Sequence, residues 1–246
     1  MEYQNRSAQA TSTVDAGLRE YMLKVYNFMA GGLGVTGLIS YILFSYTAVY
    51  DYSGNLNVMA TMAGSAIYQS PMIYLLMFAP LGVVMYMSFG IRNMSASRAQ
   101  TMFWVFAVLM GLSLSTIFLQ YTGASIARVF FITASTFGAM SIYGYTTKRD
   151  LTGMGSFLMM GLIGIIIASI VNIFMQSPAL YFAISILGVL IFVGLTAYDT
   201  QKIKNMYNAY DTAESSSKKA IMGALTLYLD FINLFIMLLR LFGQRR

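Results

Sequence analysis

Seven stretches of this chain are long and apolar enough to cross a bilayer, and that fixes most of what it can become. A span needs about 20 mostly apolar residues to cross about 30 Å of hydrocarbon. Met22–Tyr46, Pro71–Ile91, Thr101–Gln120, Ile126–Tyr145, Met154–Met175, Ala179–Tyr198 and Ala220–Leu241 qualify. Their connections are short and polar, except Thr47–Ser70 and Thr200–Lys219. No linker or shift in composition separates domains. The sequence predicts an all-α, polytopic membrane protein, a seven-helix bundle over residues 21–246 behind a polar tail, residues 1–20. Composition agrees: 10% of the residues are charged and 58% hydrophobic, where a soluble domain carries about 25% charged residues. The expected surroundings are the lipid bilayer.

The charges orient the bundle. The amino-terminal side and the loops after the second, fourth and sixth spans hold Arg6, Arg19, Lys24, Arg92, Arg98, Lys148, Arg149, Lys202, Lys204, Lys218 and Lys219. The other side holds Arg128, Arg240, Arg245 and Arg246. Eleven against four places the amino terminus in the cytoplasm. A basic carboxyl tail then lies outside, which the same rule disfavours, so the last stretch either spans fully or dips in and returns. Its length favours a full span. The net charge of +6 sits in short loops and predicts no nucleic-acid partner. The first twenty residues hold no apolar core of signal-peptide length, so the first span is expected to direct insertion. Val14, Leu18, Tyr21, Met22 and Val25 recur at helical spacing, which fits either a surface-lying amphipathic helix or an extension of the first span.

The chain has no cysteine and no histidine. That excludes disulfides, thiol catalysis, serine triads and imidazole switches. Ionisable chemistry falls to carboxylates, lysines, arginines and tyrosines. Gly31-Gly32-Leu33-Gly34 has no preceding strand and apolar surroundings, so it reads as close helix packing, not a phosphate loop. The twenty methionines read as packing residues.

Two acidic residues lie where an anion facing lipid would cost several kcal/mol: Asp199 at the inner end of the sixth span and Asp230 midway along the seventh. Such a group is either a bond between helices or a functional site. Asp230 lies ten residues into the seventh span, roughly 15 Å along its axis. If the sixth helix continues through Gln201–Lys204, the two carboxylates reach similar depth. Two carboxylates close together in low dielectric cannot both ionise cheaply, so they share a proton. Without histidine, this pair is the expected pH sensor. Tyr198 and Tyr228 flank the aspartates, Asn233 follows Asp230 on the same face, and Asn172 is another polar group able to bridge helices. Arg92, at the inner end of the second span, is the expected partner for an ionised aspartate. Lys202 reads as an interfacial anchor.

FVGLTAYDTQKIK (Phe192–Lys204) and LTLYLDFINLFIMLLRLFG (Leu225–Gly243) resemble the paired signature of the Bax inhibitor-1 family. YMLKVYNFMAGGLGVTGLISY and GLSLSTIFLQYTGASIARVFFITASTFGAMSIYGYTTKRDL resemble its bacterial members, so the resemblance runs from about Tyr21 to Gly243. It implies a seven-helix bundle with a central last helix. It further implies a pH-sensitive calcium leak with Asp199 and Asp230 as sensor and transient calcium ligands, and Arg92 as gate partner. Calcium is then a transported ion and no cofactor is expected. Calcium prefers oxygen ligands, but a tight site takes six to eight, so passage is expected, not storage.

Two rivals remain. Bacterial relatives are associated with a membrane-bound protease, so the chain can instead be a modulator of such a protease without transport activity. An intramembrane aspartyl protease also uses two aspartates, one in a Tyr-Asp pair like Tyr198-Asp199. Its second aspartate follows a Gly-x-Gly pattern, whereas Asp230 follows Leu-Tyr-Leu. The expectation is therefore a non-enzyme.

Overall fold

A computed structural model describes the backbone of residues 2–50, 56–57, 62–68 and 70–246, with side chains from residue 16 onward apart from residues 49–63 and 69. The elements in chain order are α1 (Glu2–Thr47), β1 (Val49–Tyr50), β2 (Leu56–Asn57), α2 (Met62–Tyr68), α3 (Met72–Gly90), the 3-10 turn Ile91–Asn93, α4 (Ala96–Gln120), α5 (Gly123–Thr146), α6 (Thr152–Met175), α7 (Pro178–Asn205) and α8 (Ala213–Phe242). Among the described residues, seven helices are long and apolar enough to cross a membrane: α1 from Ala16, α3 with its 3-10 turn, and α4 to α8. The protein is an all-α polytopic membrane protein. Outside the helices, β1 and β2 form a two-residue antiparallel ribbon within the connection expected over Thr47–Ser70, the rest of which lies partly outside the described residues.

The helices form two compact units. One holds α1 up to Asn27 and α5 to α8; the other holds α1 from Phe28, the ribbon, α2 to α4 and the tail residues 244–246. No linker marks the division, because α1 runs unbroken through both. That also decides the amino-terminal helix, which is an extension of the first span. Tyr21, Met22 and Val25 are buried and Leu18 is half-buried; the side chain of Val14 lies outside the described residues.

Helix ends follow local chemistry. Ser95 caps α4, its hydroxyl accepting from the Arg98 amide at 3.3 Å, which satisfies a donor that has no partner inside the helix. The Thr152 hydroxyl (2.6 Å) and amide (2.9 Å) both donate to Asp150 at the start of α6 and hold its carboxyl below the usual carboxylate range. Gln176, left-handed at φ 49°, ends α6. Ser177 then caps α7 at the Leu180 amide (3.3 Å), ahead of Pro178, where proline's missing N–H costs nothing.

The α7–α8 connection is shorter than the sequence suggested. α7 runs past the apolar stretch to Asn205 and α8 starts at Ala213, leaving 206–212 as loop. Lys202 and Lys204 sit in the last turn of α7 and Glu214 in the first turn of α8, each charge favoured by its helix dipole. α8 continues for 30 residues, about 45 Å at 1.5 Å per residue, and so spans without turning back.

Burial singles out α8. In its most apolar window 72% of residues are buried, against 11% in α3 and α6 and at most 33% elsewhere. α3 and α6 instead present large apolar side chains outward, with Phe89 81% and Phe174 83% exposed. Water does not tolerate so continuous an apolar surface; lipid does. In the first unit α8 packs along α7, and Phe231 meets Phe130 and Phe137 of α5 edge-on, each at 5.5 Å. In the second unit the tail closes on the end of α4. The Arg246 amide donates to the Gln120 carbonyl (3.0 Å) and its Nε to the Tyr121 carbonyl (3.2 Å), with the guanidinium over Phe44. Cations suit a helix C-terminus, so this arginine has a structural place that loop-charge counting does not see.

Candidate functional site

α7 and α8 run antiparallel and approach closely because glycine stands at the contacts. A Cβ at Gly188 of α7 would come within 2.8 Å of Met237, and one at Gly223 of α8 within 2.9 Å of Ile203. Between these two contacts lie Asp199 and Asp230, 8% and 6% exposed. Their carboxyl groups lie within hydrogen-bonding reach of each other. Oδ2 of Asp230 is buried with no donor turned to it among the described residues. Two ionised carboxylates are both acceptors, so a bond between them needs one proton on the pair. The depth argument from sequence thus lands on the observed geometry, because α7 does continue through Gln201–Lys204.

A positive charge that acts on the pair is on α7 itself. Lys202, one turn from Asp199, is close enough to act electrostatically on both carboxyls, while its ammonium lies 5.7 Å from the Tyr198 ring centroid. It is more than the interfacial anchor expected from sequence.

The other residues singled out in the sequence take separate places. Tyr198 lays its ring on Gly155 of α6, where a Cβ would collide with it. Tyr228 is fully buried in α8. The Asn233 amide donates to the Leu229 carbonyl of its own helix at 2.9 Å. Asn172 is not a buried bridge in the core: half-buried at the end of α6, it accepts from the Ser177 amide at 3.0 Å. A helix end leaves backbone groups without partners, and Asn172 serves that need across the α6–α7 turn. Arg92 belongs to the second unit, exposed in the 3-10 turn that closes the second span.

Sequence reasoning missed the polar scaffold around Asp199. The Tyr26 hydroxyl meets Ser141 at 2.6 Å, and Ser141 meets Thr200 at 3.0 Å, joining α1, α5 and α7. Gln201 accepts from the Leu151 amide (2.9 Å) and donates to the Arg149 carbonyl (2.7 Å). Lys204 donates to the Tyr145 carbonyl at 2.8 Å. The available signal was the run Asp199-Thr200-Gln201, three polar residues in succession at a helix end. Gln201→Ala is expected to lower stability by about 1–3 kcal/mol, because it strands the buried Leu151 amide. Unfolding in detergent measures this, and an unchanged midpoint would mean the Gln201 bonds do not hold α7.

Among the described residues no cluster of three or more His, Cys, Asp or Glu side chains is positioned to hold a metal ion. Two carboxylates offer too few oxygens for tight calcium binding. What the pair can do chemically is hold one shared proton between its two carboxyls.

The comparisons agree along the chain. The family model described as "Inhibitor of apoptosis-promoting Bax1" matches residues 18–246. A protein of Rickettsia prowazekii is 51% identical over 95% of this chain and 93% of its own length. A protein of Caulobacter vibrioides is 47% identical over 97% and 94%. The inner membrane protein YbhL of Escherichia coli is 48% identical over 94% of both chains. With seven membrane-crossing helices, a buried α8 and matches of this extent, the chain belongs to the Bax inhibitor-1 family.

Proposed function

We infer that the chain is a pH-sensitive leak for calcium, gated through the Asp199–Asp230 pair, with its amino terminus in the cytoplasm and Arg92 as the partner that takes up Asp199 when the shared proton leaves. The observation that carries this reading is the pair itself: two buried carboxyls in hydrogen-bonding reach across the α7–α8 contact. A proton holds them together. Its loss leaves two like charges that must be neutralised by a cation or separated. Either response changes how α7 packs on α8, and weak oxygen ligands suit transient passage of calcium. The reading is non-enzymatic. α8 passes through Asp230 without a break, which gives a peptide no unwound backbone beside the carboxyl.

Calcium entry into proteoliposomes, followed against pH, tests the reading. Flux above protein-free liposomes that varies with pH supports it, and flux at the protein-free level sinks it. The orientation has its own test. Tyr210 lies in the α7–α8 loop, 95% exposed, and the chain has no native cysteine. Tyr210→Cys in whole cells should resist an impermeant thiol reagent until the membrane is opened. Labelling from outside would reverse the topology.

A further inference from the structure

A second feature of the first unit lies apart from the aspartate pair. Where α1 and α8 enter their apolar stretches, at Ala16 and Ala213, they and the loop between α7 and α8 line an open cavity of about 380 Å³. Its position at the start of two spans puts it at a membrane–water boundary. One wall holds Tyr21, which is 4% exposed and whose hydroxyl is buried without a hydrogen-bond partner among the described residues. Buried polar groups are nearly always satisfied, so this orphan hydroxyl, on a residue that lines the cavity, marks a missing partner. The Tyr207 ring lies 5.7 Å from that of Tyr21 and rests on Gly17, where a Cβ would collide with its hydroxyl. The glycine makes room for this aromatic wall.

The polar lining carries both charges. Lys24 donates to Ser217 at 2.7 Å and keeps two further N–H groups for an acceptor. The first turn of α8 beside it carries partial positive charge. Glu20, one turn before Lys24 on α1, and Asp211, just ahead of α8, line the same cavity, with Asp211 also paired to Lys219 at 2.6 Å. Carboxylates beside tyrosine faces suit an ammonium; an ammonium beside serine hydroxyls and a helix start suits a phosphate.

We propose that this cavity binds the headgroup of a zwitterionic phospholipid, its phosphate at Lys24, Ser217 and the start of α8, its ammonium at Glu20, Asp211 and Tyr207, and the Tyr21 hydroxyl donating to a headgroup oxygen. A free phosphoethanolamine has the same chemistry, and the experiment separates the two. Delipidated full-length protein in detergent is titrated with short-chain phosphatidylethanolamine, short-chain phosphatidylglycerol and free phosphoethanolamine, with binding read by native mass spectrometry and thermal stabilisation. Phosphatidylethanolamine should saturate and raise Tm, and phosphatidylglycerol should bind at least about tenfold more weakly. Tyr21→Phe and Lys24→Met should each weaken the lipid about tenfold, the equivalent of one hydrogen bond to a charged group. Tyr21→Phe keeps the ring and removes an orphan hydroxyl, so the fold survives it. Free phosphoethanolamine binding as tightly as the lipid assigns the site to a soluble headgroup compound; much weaker binding assigns it to the lipid. Failure to saturate, equal affinity for the two lipids, or wild-type affinity in both variants overturns the proposal.

Discussion

Asp230→Asn is expected to flatten the pH dependence of calcium flux while leaving the protein folded. The substitution keeps the size of the side chain and adds an amide able to donate to Asp199, so the contact between α7 and α8 survives without a shared proton. What disappears is the like-charge repulsion that follows deprotonation. Two unit charges about 4 Å apart interact by about 4 kcal/mol at an effective dielectric of 20, several times RT and enough to shift a helix packing equilibrium. Wild-type flux should change severalfold as the pair gains or loses its shared proton. In the variant the change should fall below about twofold, with an unchanged elution profile and thermal midpoint. Arg92→Ala should raise the basal leak, because it removes the countercharge proposed for Asp199. If both variants keep the wild-type pH profile, the carboxyl pair is a structural bond between helices and the transport reading loses its support.

How much of this was legible in the sequence depends on the length scale of each feature. The spans were legible because each is a continuous run of apolar residues, and a run is visible without knowing what it touches. The aspartates were legible for the converse reason: a carboxylate inside such a run has no inexpensive place to go. Helix ends were less so. Lys202, Lys204 and the stretch from Thr212 to Lys219 are polar, so hydropathy ends the spans there, although capping and dipole effects carry both helices on. Least legible was the scaffold. Tyr26, Ser141 and Thr200 lie in three different helices, and no single-chain pattern states which hydroxyl will face which. Asn172 shows the same limit: its residue type announced a hydrogen bond, but only the geometry of the turn said with what.

The glycines separate residue type from environment most sharply, and they carry the second large expected effect. Gly144 and Gly164 both sit inside apolar helices, and the sequence gives no reason to treat them differently. In the structure a Cβ on Gly144 would drive into the backbone carbonyl of Ala197 on α7, while one on Gly164 meets nothing within 4 Å. Replacing an internal helical glycine by alanine gains about 1 kcal/mol of helix propensity. At Gly164 that gain stands alone, so Gly164→Ala should leave the unfolding midpoint unchanged or raise it slightly. At Gly144 overpacking opposes it, typically at about 1–3 kcal/mol, and here toward the upper end because backbone cannot swing aside as a side chain can. α5 must then back away from α7, which stretches the Ser141–Thr200 bond of 3.0 Å one turn earlier on α5 and unsettles the helix that presents Asp199. Gly144→Ala should therefore lower the unfolding midpoint in detergent clearly, by about 2 kcal/mol. A midpoint matching that of Gly164→Ala would show that α5 and α7 are not held at backbone contact and that the support of Asp199 comes from elsewhere.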